Sequence, residues 1–312
     1  MLQRTRPLCL VTLSLIVALL PHGAEAVVAP VAVVTGPQDQ WQAFANETWL
    51  AWTSNSVQHP NHWNTLVRPI AGGTKGRVNP SGTFGFTGNF DPGTDHLIYQ
   101  QVTASNSAIF FYDAATGQQW RVQGVNTRKW EWQPRVSNAF ILFQRDHRVN
   151  GKAYTDVLLY DRETRQTRRL GTWRSTGKVF RTGNVGERYA TFFVGTNKAF
   201  FPYLYDSQTG IRTRITSTQP WTWAPVVDET DGTVYFAASA NACGGYSNIW
   251  RLPISLTGPA TKIVDMPNGV EIGWVMSLAP NPVLGLDLLF YRLVCSKHQG
   301  DIFKAPQVDQ VP

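Results

Sequence analysis

A short pattern occurs three times in this chain, with its aspartates 48 and 45 residues apart. Ile109-Phe-Phe-Tyr-Asp113, Val157-Leu-Leu-Tyr-Asp161 and Pro202-Tyr-Leu-Tyr-Asp206 each combine an apolar stretch with an Asp, and a Thr follows three residues after each Asp. Asp satisfies turn amides, and the Gly that follows in two of the copies supplies a positive φ. Each copy therefore predicts a strand that ends in a tight turn and leads into the next strand of a hairpin.

Weaker copies extend the series in both directions, at Asn64–Arg68 before it and at Asn248–Leu252 and Asp301–Lys304 after it. An apolar strand precedes each hairpin, and an aromatic strand such as Lys129-Trp-Glu-Trp132 precedes that. Units of four short strands at this spacing cannot bury their faces alone, which predicts an all-β, six-bladed β-propeller of four-stranded antiparallel blades. A β-sandwich is the alternative, but it does not require the same four-strand order in every unit.

Two segments carry a resemblance to a known repeat. They are Gln133-Pro134-Arg-Val-Ser137-Asn-Ala-Phe-Ile-Leu-Phe143 and Ala224-Pro225-Val-Val-Asp-Glu-Thr-Asp231-Gly232-Thr-Val-Tyr-Phe236. Both resemble the TolB-like, Pro-Asp-type propeller repeat, in which Pro-x-x-Ser-Pro-Asp-Gly precedes an apolar strand and an Asp-x-x-Thr-Gly hairpin. The other units lack that Pro and the complete Ser-Pro-Asp-Gly. The resemblance implies the propeller fold over the chain after residue 26 and implies no function, because such propellers perform unrelated tasks.

The last unit lacks an outer strand. The β-branched run Val27–Val34 is expected to supply it by pairing with the last blade, which closes the ring and covers an exposed edge. The alternative is a disordered N-terminal segment.

Cys243 and Cys295 lie in equivalent loops of neighbouring blades, and such loops share one face of a propeller. This placement can bring their Cα atoms within the roughly 4.4–6.8 Å that a disulfide needs. We therefore predict a disulfide between them.

The beginning of the chain is typical of an export signal. Arg4 and Arg6 precede the apolar run Leu8–Leu20, and Ala24-Glu25-Ala26 follows as a cleavage pattern. We therefore expect a secretory signal peptide at residues 1–26 and a single propeller domain at residues 27–312. An uncleaved membrane anchor is the alternative; with cleavage, no transmembrane segment is expected. The predicted location is secreted, periplasmic or elsewhere in the cell envelope, where an oxidising environment suits the disulfide.

The loops of a propeller are divided between two faces, and the charges of this chain divide with them. Loops that join second to third strands share one face, here called the mouth face, with the connections between blades. The turns that contain Asp113, Asp161 and Asp206 share the opposite face, here called the Asp-turn face. The basic residues assigned to the mouth face are Arg128, Lys129, Arg145, Arg148, Lys152, Lys178, Lys198, Arg292 and Lys297.

The mouth face also receives histidines and aromatic residues. Four histidines fall in its loops and suggest either a polar site with metal ligands or ordinary solvated loops, and no carboxylate spacing supports a coordination shell. Two pairs of tryptophans, Trp130 with Trp132 and Trp221 with Trp223, each point to one side of a strand and are assigned to the core rather than to sugar stacking. The candidate ligand-binding residues are Trp63, Arg145, His147, Arg148, Tyr154, Lys198, Phe200, Tyr246 and His298.

No catalytic motif is evident in this sequence. It contains no Gly-x-Ser-x-Gly elbow and no phosphate-binding glycine loop, and both mature cysteines are assigned to the disulfide. We therefore predict an exported, monomeric, non-catalytic module that needs no cofactor and binds a protein, a peptide or an acidic glycan, but not nucleic acid. One alternative is a hydrolase or lyase for an acidic polysaccharide, with His147 or His298 as the base beside a metal. Another is a purely structural role in envelope assembly.

Overall fold

A computed structural model describes residues 29–35, 38–55, 62–196, 199–219, 221–239, 247–267, 270–281, 285–294, 299–306 and 308. The expected signal peptide and both cysteines of the expected disulfide lie outside these residues. In the described part of the chain, no helix is long and apolar enough to cross a membrane.

The described chain folds into six antiparallel sheets of four strands each, which confirms the predicted architecture. Five blades are formed from consecutive strands. They are β2 to β5 (Gln40–Ala45, Trp49–Asn55, Trp63–Pro69, Gly76–Arg77), β6 to β9 (Phe84–Phe90, His96–Val102, Ser107–Asp113, Gln119–Arg121), β10 to β13 (Trp130–Val136, Phe140–Val149, Lys152–Asp161, Thr167–Arg174), β14 to β17 (Lys178–Val185, Tyr189–Thr196, Phe200–Asp206, Arg212–Arg214) and β18 to β21 (Trp221–Asp228, Thr233–Ser239, Ser247–Pro253, Thr261–Val264).

The sixth blade closes the ring. It joins β22 (Val270–Asn281), β23 (Gly285–Val294) and β24 (Gln299–Ala305) to β1 (Val31–Val34) from the other end of the chain. Val31 pairs with Lys304 and Ala32 with Phe303, so the predicted N-terminal closure is confirmed for this segment. The first strand of every blade contacts the first strands of both neighbouring blades, which places these six inner strands around a common axis.

The recurrent Asp residues act as the sequence predicts. The Asp113 carboxylate accepts hydrogen bonds from the amides of Ala115 and Thr116 at 2.9 and 3.1 Å, and Asp161 accepts equivalent bonds from residues 163 and 164. The position four residues after each Asp has a positive φ, which is 76° at Gly117, 59° at Arg165 and 72° at Gly210. The turn chemistry thus explains why the pattern recurs.

Each inner strand contains a bulge or irregularity in its pairing with the second strand of the blade. In two blades the bulge carries Thr-Gly-Asn, and its Asn bonds the next blade: Asn184 accepts from the Val227 amide at 2.8 Å and donates to the Val227 carbonyl at 2.7 Å. Asn89 makes the same pair of bonds with Val136. At Gly183 a Cβ would lie 2.0 Å from the Pro225 carbonyl oxygen, so a glycine is required for blades to approach this closely.

The core lies between the blades. A large cluster joins the fifth and sixth blades through Tyr235, Ile249, Met276 and Phe290. Trp223 in this cluster is 1% exposed, and its indole nitrogen donates to the Ile272 carbonyl at 3.0 Å. The structure therefore places this tryptophan in the core, as predicted.

Candidate functional site

The mouth face has an exposed basic area around the third blade, as the sorting of charges predicted. Strands β10 to β13 begin or end here, and the connection 122–129 leads into β10. Trp130 is 44% exposed at the start of β10 and pairs with Asp146 across the sheet, so its predicted place in the core is wrong: it lies at the end of the strand, beyond the packed part of the blade. We call this area the blade-3 patch; its exposed residues are Arg128, Lys129, Trp130, Arg148, Lys152 and Arg174.

A long hairpin builds the centre of the patch. β11 and β12 have 10 residues each, against seven in β7 and β8 of the preceding blade. The hairpin is closed by Asn150-Gly151, with φ values of 50° and 75° that suit a type I′ turn. His147, Arg148 and Tyr154 consequently lie in strands and not in the predicted loop, because the ladder continues as far as the pair Val149 and Lys152.

His147 and Tyr154 are brought together as opposite residues of this hairpin. Their rings stack with centroids 5.7 Å apart. Nδ1 of the imidazole lies 3.4 Å from Oδ2 of Asp156, which also lies 3.6 Å from Nε of Arg169. The other Asp156 oxygen accepts a hydrogen bond from the Thr172 hydroxyl at 2.5 Å. Asp156 is thus the acidic group beside the His147 imidazole.

Asp146 faces the other side of the same strand. Burial raises the pKa of its carboxyl group, and a hydrogen bond from the Thr155 hydroxyl at 2.6 Å partly opposes the rise. In the described part of the chain, no group of three or more His, Cys, Asp or Glu side chains is arranged to hold a metal ion.

Arg145, a predicted ligand-binding residue, is engaged inside the protein. Its Nε donates to the Glu131 carboxylate at 2.9 Å, and its Nη2 donates to the Val125 carbonyl at 2.6 Å. The Glu131 side chain is completely buried, whereas 16% of the Arg145 side chain is exposed. This ion pair joins the third blade to the connection that precedes it, so we assign Arg145 to the fold.

Two predicted aromatic residues pack against other rings. Trp63 lies 5.6 Å from Trp41, measured between ring centroids. Phe200 contacts Trp221 at 5.0 Å and Trp223 at 5.9 Å, in the junction between the fourth and fifth blades. Both residues are partly exposed, but neither joins the blade-3 patch. The predicted residues Lys198, Tyr246 and His298, like Cys243 and Cys295, lie outside the described residues.

Sequence reasoning missed an arginine on the axis. Arg135 in β10 is fully buried, and its Nε donates to the Gly183 carbonyl in the next blade at 2.8 Å. Its Nη1 donates to the Pro134 carbonyl at 2.7 Å, while Nη2 has no hydrogen-bond partner. The guanidinium carbon lies 4.4 Å from the ring centroid of Phe44, which comes from the first blade. The side chain therefore extends among the inner strands of three blades.

Arg181 in β14 is the charged neighbour of Arg135. Its guanidinium lies 5.7 Å from the ring of Trp41, across the axis, and its Nη1 donates to the Phe180 carbonyl at 2.7 Å. Burial lowers the pKa of Arg181 to about 10. Burial, followed by repulsion from Arg181, lowers the pKa of Arg135 to about 9. The sequence signal that could have found this pair was an arginine within the first strand of each of two successive blades.

The strands form a six-bladed β-propeller, and the described residues include an exposed basic area on the third blade of its mouth face. Comparison with solved structures shows which propellers have a similar fold. No protein-family model and no curated protein matches the sequence. Among solved structures, TolB from Acinetobacter baumannii has a TM-score of 0.53 at 14% identity, over 82% of this chain and 63% of that one. A candidate TolB from Agrobacterium tumefaciens has a TM-score of 0.54 at 11% identity, over 87% of this chain and 91% of that one.

An oligogalacturonate lyase from Vibrio parahaemolyticus is similar to the same degree, with a TM-score of 0.51 at 9% identity over 88% of this chain and 84% of that one. The chain thus has a TolB-like six-bladed propeller fold and spans less than two thirds of the A. baumannii TolB. Identities this low establish the shared fold alone, because one fold supports many functions.

Proposed function

We propose that this protein is an exported, non-catalytic binding module that takes an anionic protein, peptide or acidic glycan on its mouth face. The observation that carries the proposal is the blade-3 patch. Five exposed cations and one exposed tryptophan surround the ends of a single blade. Such a concentration of one charge attracts an oppositely charged partner and increases its association rate.

The acids near the patch leave its positive charge largely uncompensated. Glu131 is paired with Arg145, and Asp156 lies beside Arg169 and His147. Asp146 is partly buried, and burial favours its neutral form. The exposed charged side chains at this end of the blade are therefore cationic, and Trp130 lies exposed beside them, a combination that suits chains of carboxylates.

Trp130 supports an extended partner. A ring that is 44% exposed beside Lys129 offers a flat apolar surface next to a cation. A sugar ring or an apolar side chain can pack on this surface while its carboxylates meet the neighbouring cations. The signal peptide expected at residues 1–26 supports export, and a secreted or periplasmic module would meet such polymers at the cell envelope.

A lyase acting on an acidic polysaccharide is the second candidate function. The observation that favours it is the position of His147 beside Tyr154 and Asp156. A histidine that acts as a general base takes up a proton during the reaction, and a nearby carboxylate favours that step. Incubation with oligogalacturonate tests it directly. Appearance of unsaturated, ultraviolet-absorbing ends that disappears in His147→Gln would establish the lyase, and intact substrate after prolonged incubation would exclude this substrate.

The binding proposal is tested with immobilised oligogalacturonate and poly-glutamate. The triple variant Lys129→Gln, Arg148→Gln and Lys152→Gln removes three exposed charges from the patch. We expect affinity to fall by about tenfold or more, because each cation near the ligand contributes to attraction. The matched control, Lys75→Gln, Arg121→Gln and Arg165→Gln, removes the same charge elsewhere and should bind as the wild type does. Equal loss in both variants would indicate a non-specific charge effect and overturn the proposal.

A further inference from the structure

The outer strands of the third and fourth blades leave an open pocket between them. The pocket has a volume of about 480 Å³ and is lined by Arg168, Arg169, Leu170, Tyr205, Gly210 and Arg212. Arg168 and Arg169 come from β13, and Arg212 comes from β17. Three cations therefore contribute to its lining, and among the described residues no carboxylate does.

Arg168 reaches from the third blade to the fourth. Its Nη1 donates to the Tyr205 hydroxyl at 2.9 Å and to the Ser207 carbonyl at 3.1 Å. In the described structure its Nε and Nη2 form no hydrogen bond, and the residue is exposed. The two bonds thus hold the guanidinium group in place and leave its other donors available to a ligand.

Arg212 reaches in the opposite direction, from the fourth blade to the third. Its Nη1 donates to the Leu170 carbonyl at 2.9 Å, and its guanidinium carbon lies 5.5 Å from the ring centroid of Trp173 and 5.0 Å from that of Tyr203. Gly171 leaves room for this contact, because a Cβ at that position would lie 2.7 Å from Nη1 of Arg212. Nε and Nη2 of this exposed arginine also form no hydrogen bond to the described residues.

The two arginines are brought to the same pocket by their own contacts. Arg168 is bonded to Tyr205, and Tyr205 lies opposite Arg212 in the ladder of β16 and β17. Arg212 in turn is bonded to the carbonyl of Leu170, two residues after Arg168. Each side chain is therefore anchored beside the other, and their free donors share one opening.

The positive charge of this pair is not cancelled by an ion pair. In the part of the chain that the structure describes, neither Arg168 nor Arg212 forms an ion pair. Asp156 lies 3.6 Å from Arg169, the third cation of the pocket. Asp161 attracts Arg168 electrostatically, but its carboxylate accepts hydrogen bonds from two amides of its own turn. The pocket thus offers two fixed cations to an anion from solution.

We propose that Arg168 and Arg212 form a binding site for a phosphate group. Guanidinium groups donate to phosphate oxygens in pairs of parallel hydrogen bonds, and anchored arginines lose little freedom when they do so. A phosphate group carries a charge of roughly −1.5 to −2 near pH 7, which matches two arginines, whereas a carboxylate carries only one charge. This site is separate from the blade-3 patch, and either one can fail without the other.

The first test is calorimetric titration of the purified protein with inorganic phosphate at fixed ionic strength, with sodium chloride as the reference salt. We expect saturable one-to-one binding. Arg168→Gln and Arg212→Gln should each weaken it by about tenfold or more, because hydrogen bonds between charged groups are lost. Arg121→Gln, on the equivalent outer strand β9 of the second blade, is the matched control and should leave the affinity unchanged. Equal weakening in the control, or acetate binding as tight as that of phosphate, would overturn the proposal.

A second arm separates the two sources of the phosphate group. Glycerol phosphate, a monoester, is titrated beside inorganic phosphate. Tighter binding of the monoester, weakened in Arg212→Gln, supports the site and identifies a phosphate carried on a larger molecule as its ligand. Tighter binding of inorganic phosphate, weakened in the same variant, supports the site and identifies the free ion. If neither compound binds, the proposal is wrong.

A third arm covers a variant that does not fold. Arg212→Lys keeps the charge but loses the planar fork, so it should fold and bind phosphate more weakly than the wild type. A crystal of the wild-type protein soaked in phosphate gives a test without any variant. Density for phosphate within hydrogen-bond distance of both guanidinium groups supports the site, and density at one arginine alone, or water at both, contradicts it.

Discussion

Replacing Arg145 by Met should destabilise the protein strongly while leaving the exposed binding surface in place. The change removes the 2.9 Å bond to Glu131 and the 2.6 Å bond to the Val125 carbonyl. Glu131 is then left as a completely buried carboxylate with the Thr127 hydroxyl as a remaining partner. Breaking a buried pair from one side costs about 3–5 kcal/mol. We expect about 3 kcal/mol, because Arg145 keeps some exposure and the Met side chain replaces part of its stem.

The buried charge is the cause of this loss, so removing it should restore stability. In the double variant Arg145→Met and Glu131→Gln no ion remains, and we expect the cost to fall to about 1 kcal/mol. Thermal unfolding followed by circular dichroism measures both variants. For a protein of this size, a loss of about 3 kcal/mol lowers the melting temperature by roughly 4–6 °C.

Arg148→Met is the control on the same strand. It is exposed and forms no ion pair in the described structure, so its effect should remain within about 0.5 kcal/mol. If Arg145→Met is as stable as Arg148→Met, or if Glu131→Gln adds a further loss in the double variant, the assignment of Arg145 to the fold is wrong. Arg145 would then return to the set of ligand-binding residues.

Three further predictions concern the ring and its axis. Asn184→Ala removes both bonds to Val227 and should cost about 2 kcal/mol in urea unfolding, whereas the exposed Asn138→Ala should cost almost nothing. Deletion of Val31–Val34 uncovers the edge of β24, so size-exclusion chromatography should detect self-association, and a monomer of unchanged stability would contradict the closure. Because burial lowers the pKa of Arg135 to about 9, the folded protein loses this proton at a lower pH than the unfolded chain does. The free energy of unfolding of the wild type, measured relative to that of Arg135→Met, should therefore rise with pH above about 9. A relative free energy that stays constant or falls across this range would contradict the prediction.

The propeller could be predicted because its turns repeat a local chemistry. Asp113, Asp161 and Asp206 determine the turn of each hairpin through their own neighbouring amides, so the signal lies within a few residues of sequence. The N-terminal closure followed from counting strands in the last blade. Both inferences depend on short-range patterns, which a single sequence displays.

The candidate site was harder to predict because its residues are selected by long-range contacts. Arg145 and Arg148 are equally basic in sequence, yet only the structure shows that Glu131 lies opposite Arg145 in the neighbouring strand. Arg135 looked like part of a repeat motif, and its burial depends on Gly183 and Phe44 from other blades. The length of the third-blade hairpin also moved His147 and Tyr154 from an expected loop into strands.

Hydrogen-exchange mass spectrometry on the protein saturated with oligogalacturonate tests the central claim most directly. The account predicts slower exchange on binding in residues 122–130 and 145–154, which form the blade-3 patch, and no change in the turns at 114–118 and 207–211 on the Asp-turn face. Poly-glutamate should protect the same segments if the partner is a protein. Protection confined to the Asp-turn face, under conditions where binding is saturated, would contradict the proposed function.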